Sequence, residues 1–452
     1  MKNSKEKSFF KVRESGSTYT KEILAGIVIF LAMVYILPLN VGILSDANGS
    51  GMNPESVFIA TAIASAIACL AMGLIAKFPV ALSAGMGLNA YFSYTVCATL
   101  NYTWGEALTI TLVASIIFVI ITVTPIRRKI IEAIPLDLRN AIIVGLGAFI
   151  AFVGFKNSGI IMDSPSTLVT LGKLDDPSVL LAIFGVMLVF IISNLKSKIS
   201  TFAIPLAMAI TAIVGLILGG CGIPNMPTFS GESSNFASLG ETFGQAFFHF
   251  DVLLDPKTYA VIFSFIFVNL FDTTGTMLAV GSGAGFINER GELVGANKAL
   301  LVDAGGAVVS GILGTSPVTS FVESNVGVEM GGRTGLTAVV TGILFLLSIF
   351  AYPIFSIFSH SSVTAMALIA VGSMMFADLK NINWNDKIIV ATTFLIVILM
   401  ILCYSISDGL GIGIIFYCLM MSASKRGKEV NKVIYIIALF YVISYVLNII
   451  LL

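Results

Sequence analysis

Charge-free apolar stretches, each about long enough to cross a bilayer, recur along this whole chain and constrain its fold more than any other feature. The first, Ile23–Ser45, runs 23 residues without a charged side chain, where a helix needs roughly 20 to cross a hydrocarbon core. Others follow at Val57–Ala76, Ala107–Ile126, Ala141–Phe155, Val179–Leu195 and Thr201–Gly220. The second half continues with Thr258–Phe271, Ala304–Val322, Leu336–Ala377, Ile388–Ser407, Gly409–Ser424 and Val433–Leu452. Leu336–Ala377 holds 42 residues, enough for two crossings hinged near Tyr352-Pro353 and Ser359–Ser362. Only 11% of the 452 residues are charged and 57% are apolar, whereas a water-soluble domain carries about 25% charge. A water-facing surface cannot be built from so few charges, so the lipid bilayer is the solvent for most of this one. The first run is too long for a signal-peptide core and lacks a small-residue cleavage pattern.

The formal net charge is zero, which gives no global case for a nucleic-acid partner. Five cysteines (69, 97, 221, 403, 418) are scattered without metal-ligand spacing, and there are two histidines, His249 and His360. No metal, no other cofactor and no nucleophile–base pair is expected, and an enzyme reading finds no support.

Two further segments, near 86–99 and 324–335, are short, glycine-rich and flanked by proline. With them the chain counts fourteen membrane segments, and 433–452 is left over as an extra span or an interfacial helix. The basic N-terminus (Lys2, Lys5, Lys7, Lys11, Arg13, Lys21) belongs in the cytoplasm by the positive-inside rule. Lys77, Arg127-Arg128-Lys129, Lys196, Lys198, Lys425, Arg426, Lys428 and Lys432 then fall on the same side, and the acidic loop 221–256 lies outside.

Gly-Leu-Ile-Ala-Lys-Phe-Pro-Val at 73–80 aligns with Gly-Ile-Leu-Gly-Thr-Ser-Pro-Val at 311–318, 238 residues on. A weaker echo joins 145–157 with 371–381. Seven spans separate the copies, so the second half is inverted relative to the first. Inverted repeats with interrupted helices are the mark of carriers that bind substrate near the midplane. In both copies a proline is followed by extended sequence (Phe78–Ala84, Ser316–Val322) and then by a glycine-containing helix start. Proline forbids a continuous helix, and irregular backbone at membrane depth must be buried in protein or line a polar cavity. Two such pieces would turn backbone amides and helix N-termini toward a central site.

Charged residues expected inside the membrane body are few: Asp272, Asp303, Glu323, Glu329, Arg333 and Asp408. A carboxylate at a helix centre costs about 2.5–3.5 kcal/mol on insertion scales. Asp272 lies mid-span, and Glu323 stands where the second extended piece meets its helix, on the repeat position of Gly85. Asn89 follows four residues along the first piece. Asp272, Glu323 and Asn89 are therefore expected at one cavity. Glu329 and Arg333 have ion-pair spacing, Asp408 is expected to cap the last span, and Asp303 is expected either to relay protons or to hold a structural hydrogen bond.

Ala-Gly-Met-Gly-Leu-Asn-Ala-Tyr-Phe at 84–92, Leu-Phe-Asp-Thr-Thr-Gly-Thr at 270–276, Gly-Thr-Ser-Pro-Val-Thr-Ser-Phe-Val-Glu-Ser at 314–324 and Gly-Gly-Arg-Thr-Gly-Leu-Thr at 331–337 carry a family likeness. Together they resemble the AzgA-like hypoxanthine/guanine/adenine permeases among the nucleobase–cation symporters, over about residues 20–424. The resemblance implies an all-α membrane protein of fourteen segments as a 7+7 inverted repeat, with strand-like breaks in segments 3 and 10. It implies a core domain of spans 1–4 (23–126) and 8–11 (257–358) moving against a gate domain of spans 5–7 (138–220) and 12–14 (362–424). A tail (1–22), an outer loop (221–256) and a basic, apolar C-terminal piece (425–452) complete the division. It further implies proton symport in the cell membrane, commonly as a homodimer. Matched by motif, the substrate-binding candidates are Asn89, Gly87, Asp272, Glu323, Thr276 and Ser324, and the proton-coupling candidates are Asp272, Glu323 and Asp303. The uracil and xanthine branch carries adjacent asparagines after its acidic or amide position, whereas here Glu323 precedes Ser324-Asn325-Val326-Gly327. That departure favours purines.

An ionised carboxylate can accept the N1–H and 2-amino donors of guanine in parallel, and of two acids close together in a dry site one is expected to carry a proton. Sulfate-permease-type anion carriers share the implied architecture, but an anion beside two buried carboxylates would be repelled. A channel is the other alternative, and its flux would not be concentrative. The resemblance does not separate adenine from the 6-oxopurines.

Overall fold

The computed structural model describes residues 9–229, 235–284, 286 and 295–450. Lys2, Lys5, Lys7 and Glu232 lie outside the described residues. Among those described, nine helices are long and apolar enough to cross a membrane: Tyr19–Leu44, Pro54–Ala76, Trp104–Val123, Leu136–Asn157, Ile199–Gly220, Lys257–Met277, Gly335–Ile357, Ser361–Asn381 and Ile406–Ala423. Three shorter apolar helices, Pro177–Ser193, Lys387–Leu402 and Lys432–Val446, accompany them. The chain is thus a mostly helical, multi-pass membrane protein.

The first half comprises α1 (Tyr19–Met33), α2 (Ile36–Leu44), α3 (Pro54–Ala71), strand β1 (Leu82–Ala84), α4 (Met86–Ala90), α5 (Trp104–Val123), α6 (Ile126–Ala133) and α7 (Leu136–Asn157). A hairpin of β2 (Ile161–Ser164) and β3 (Leu168–Leu171), α8 (Pro177–Ser193) and α9 (Ala203–Gly220) follow. The second half holds α10 (Lys257–Ala284), α11 (Ala296–Leu313), β4 (Val318–Ser320), α12 (Ser324–Glu329), α13 (Gly335–Leu347), α14 (Tyr352–Ile357), α15 (Ser361–Phe376), α16 (Lys387–Leu402), α17 (Ile406–Ala423) and α18 (Lys432–Ile450). The starts are written locally. Asn53 caps α3 ahead of Pro54, Thr103 and Glu106 close a reciprocal capping box on α5, and Asp176 and Asp386 cap α8 and α16. Such side chains satisfy the first amide donors, which have no partner within a helix.

Each interrupted segment becomes a short strand followed by a short helix. β1 and β4 pair antiparallel with Leu82 opposite Ser320, Ser83 opposite Thr319 and Ala84 opposite Val318. Beyond the ladder, Phe321 N–H donates to the Ala81 carbonyl and Gly85 N–H to the Pro317 carbonyl, each at 3.0 Å. The Ala81 amide donates to the Ser324 hydroxyl and the Ser320 amide to Asp303. These amides, which the sequence led one to expect free for a ligand, are spent on joining the two segments to each other and to α11, as buried backbone donors must be.

Tight crossings hold the helices. On α7 and α15, a Cβ added at Gly372 would lie 2.4 Å from the Gly147 carbonyl oxygen. At Gly335, a Cβ would lie 2.0 Å from the Gly73 carbonyl oxygen. Small residues let backbones approach where lipid supplies no hydrophobic drive between helices.

Three side chains depart from expectation. Glu22, assigned to a polar tail, is fully buried and accepts from the amides of Arg333 and Thr334 and from the Thr337 hydroxyl. Arg333 donates to the Val328 and Gly332 carbonyls, so the expected bond to Glu329 is replaced by carbonyls that face it across the turn. Ser405, not Asp408, caps α17, and Asp408 accepts from the Tyr445 hydroxyl of α18 at 3.2 Å.

Candidate functional site

The joined strands abut α10 and create the site. A cavity of about 630 Å³ lies where the ends of β4 and α4 and the middle of α10 face α7 and α15. On one wall stand Asp272, Thr276, Gly87, Ser320, Phe321 and Glu323. The opposite wall presents Leu146 and Ile150 from α7, Met374 and Met375 from α15, and Asp378 just beyond it. The volume falls within the range of small-molecule sites, and apolar walls with few polar groups are their usual make-up.

Glu323 sits at the turn from β4 into α12, with helical backbone angles and no capping bond from its side chain. Its Oε1 accepts from the Tyr35 hydroxyl at 2.8 Å, and Tyr35 sits in the break between α1 and α2. Its Oε2 is buried and has no hydrogen-bond partner among the described residues. A buried carboxylate oxygen without a donor is costly unless a ligand or a proton completes it. Asp272 lines the same cavity from mid-α10.

Of the residues singled out from sequence, Asp272, Glu323, Gly87 and Thr276 are brought together on the cavity, while Asn89, Ser324 and Asp303 are not among its lining. Asn89 is fully buried; its amide donates to Asn40 Oδ1 at 3.0 Å, and its own Oδ1 has no partner among the described residues. Asn40 in turn donates to Thr61 and Thr315 and accepts from Ser316. The Asn89 side chain thus ties α4 to α2, α3 and the approach to β4. Ser324 accepts the Ala81 amide at 3.0 Å, fastening the second interrupted segment to the first. Asp303 on α11 accepts from the amide and hydroxyl of Ser320 at 2.8 and 2.7 Å and from the Thr273 hydroxyl at 2.6 Å. It braces β4 and α10 directly behind Ser320 and Asp272.

Tyr35, Phe321, Asp378 and the paired methionines were missed. Nothing in a single sequence distinguishes Tyr35 from the apolar run that holds it. Phe321 carried one faint signal, its place in the extended piece beside Glu323. Asp378 lies at the end of an apolar run, where a charge reads as solvated; its carboxylate accepts from Asn381 at 3.0 Å.

Residues 20–417 match the Permease family model, Xan_ur_permease. The chain is 41% identical to "Guanine/hypoxanthine permease PbuG" of Bacillus subtilis (strain 168), covering 97% of this chain and 99% of that protein. It is 36% identical to "Adenine permease AdeQ" of Escherichia coli (strain K12), covering 97% and 95%. In structure it resembles the transmembrane domain of the cyanobacterial bicarbonate transporter BicA, with a TM-score of 0.62 at 16% identity over 86% of this chain and 97% of that one. At that identity the last likeness concerns the fold alone. The chain belongs to the Permease family, on its AzgA-like branch, and is a permease and not an enzyme.

Proposed function

We propose that this permease takes up purine nucleobases, hypoxanthine and guanine, by proton symport with alternating access. The observation that carries the reading is the pair Asp272 and Glu323 on one cavity, with Glu323 Oε2 buried and unpartnered. Guanine offers two parallel donors on its Watson–Crick edge and hypoxanthine one, and an acceptor-only carboxylate suits both. Glu323 takes that edge, Asp272 and Thr276 meet the imidazole side, and Phe321 packs on the flat ring. The names of the relatives, guanine/hypoxanthine and adenine permeases, point to the same substrate class.

In this reading fourteen segments form a 7+7 inverted repeat, with α18 additional, the N-terminus cytoplasmic and the carrier a homodimer in the cell membrane. The register supports the repeat. The 238-residue offset carries Leu82 onto Ser320, and these two residues pair directly, as residues beside a two-fold axis must. The wall bearing Asp272 and Glu323 belongs to the core and that of α7 and α15 to the gate. One of the two acids carries the proton inward. Each charge moved is worth about 2.3 kcal/mol per 100 mV, enough to concentrate a neutral base roughly fiftyfold. An anion in place of the base would face both carboxylates.

The test is uptake of labelled hypoxanthine into proteoliposomes under an imposed proton gradient, with unlabelled adenine, guanine, xanthine and uracil as competitors and labelled bicarbonate in a parallel arm. Concentrative hypoxanthine uptake, with external alkalinisation on adding substrate, is expected. Bicarbonate uptake without it, or unchanged hypoxanthine uptake in both Glu323→Gln and Asp272→Asn, overturns the reading.

A further inference from the structure

A second cavity, of about 760 Å³, lies where the end of α5 meets α6, α10 and α11. Its polar lining is Thr122, Thr124, Arg127, Glu132, Thr274 and Asn297. Arg127 is only 4% exposed, yet among the described residues no carboxylate lies within ion-pair distance of it. Its Nη2 donates to the Thr274 hydroxyl at 3.1 Å, its Nη1 reaches the Thr122 hydroxyl at 3.5 Å, and the Phe118 ring lies 5.4 Å away. Its Nε is buried without an acceptor. A guanidinium has five N–H donors in a planar fork suited to phosphate, and although the charge of Asp303 acts on it from beyond ion-pair distance, a buried cation with no acid against it is costly. Glu132, the one acid in the lining, already holds a partner.

The position says where an anion would come from. The membrane-spanning α5 ends at Val123, which sets Thr124–Arg127 at the level of lipid headgroups. The apolar side chains around the opening face outward: Val123 is 63% exposed, Ile126 46% and Leu301 41%. α6, Ile-Arg-Arg-Lys-Ile-Ile-Glu-Ala, places Arg128 and Lys129 directly after Arg127. Basic pockets between helices at the membrane surface bind anionic headgroups.

We propose that this cavity binds a phosphate ester through Arg127, the source being the headgroup of an anionic phospholipid. Occupancy bears on the transport site through α10, because Thr274, which holds Arg127, follows Thr273, which holds Asp303.

The test uses purified protein in detergent, titrated with phosphatidylglycerol or phosphatidylcholine and, separately, with inorganic phosphate. It is read by native mass spectrometry and by thermal unfolding. The wild type is expected to retain phosphatidylglycerol in preference to phosphatidylcholine and to melt higher with it. Arg127→Gln should weaken that retention roughly tenfold. Asn297→Asp, which sets a like charge in the lining against a phosphate and leaves the arginine in place, should also weaken it and carries the test if Arg127→Gln does not fold. Stabilisation by inorganic phosphate that is lost in Arg127→Gln, without phosphatidylglycerol retention, keeps the site and assigns it to a soluble phosphate. Equal phosphatidylglycerol retention in the wild type and both variants, with no effect of phosphate, overturns the proposal.

Discussion

Replacing Glu323 by glutamine keeps the side chain's shape and removes its charge, and the structure sets the size of the effect. Oε1 is held by Tyr35 at 2.8 Å and Oε2 has no partner, so the carboxylate has capacity for two further donors. In the proposed contact guanine fills it with two charge-assisted hydrogen bonds, each worth about 1.5–3 kcal/mol against about 0.5–1.5 kcal/mol for a neutral one. The glutamine amide can turn only one acceptor toward the base. At the low end guanine loses about 2.5 kcal/mol, or roughly 70-fold in affinity. Hypoxanthine, which spends one donor, loses about 1 kcal/mol, or roughly fivefold. The assay is inhibition of labelled hypoxanthine uptake by unlabelled guanine, compared with unlabelled hypoxanthine, at matched surface expression. The contact predicts that guanine loses several-fold more than hypoxanthine. Guanine inhibition within twofold of the wild-type value would refute it.

Asp303→Asn separates a brace from a proton relay: it removes the charge from three hydrogen bonds. A fall in thermal stability of about 1.5–3 kcal/mol marks the brace, whereas intact stability with loss of gradient-driven accumulation alone marks the relay. Gly372→Ala puts a methyl 2.4 Å from the Gly147 oxygen, an overpacking that costs about 1–3 kcal/mol. It should lower the melting temperature and shift the wall that carries Met375. At the start of α16, hydrogen bonding to Arg426 holds the Asp386 carboxyl below its ordinary range. That stabilisation is present above the unfolded value near 3.9 and is lost as pH falls through the lower folded one. Melting followed from pH 5 to pH 3 should therefore decline more steeply for the wild type than for Asp386→Asn, which keeps the cap and loses the titration.

The amino-acid order determined the membrane environment, the two interrupted segments and the two acids of the cavity. Each is a local property: runs without charge, proline followed by glycine, and a carboxylate where none should survive without purpose. Only the tertiary structure decided which polar groups meet. Asn89 and Glu323 stand near each other on the repeat alignment, yet one closes a buried network with Asn40 and the other lines the cavity with one oxygen unpartnered. Asp303 and Asp272 look alike in sequence, but three donors surround the first and the second lines the cavity. Tyr35 reaches Glu323 across 288 positions, and Glu22 leaves its expected tail to clamp the turn before α13. Helix rotation and crossing set these meetings, and both depend on glycine contacts such as Gly147 against Gly372, which no period along the chain encodes.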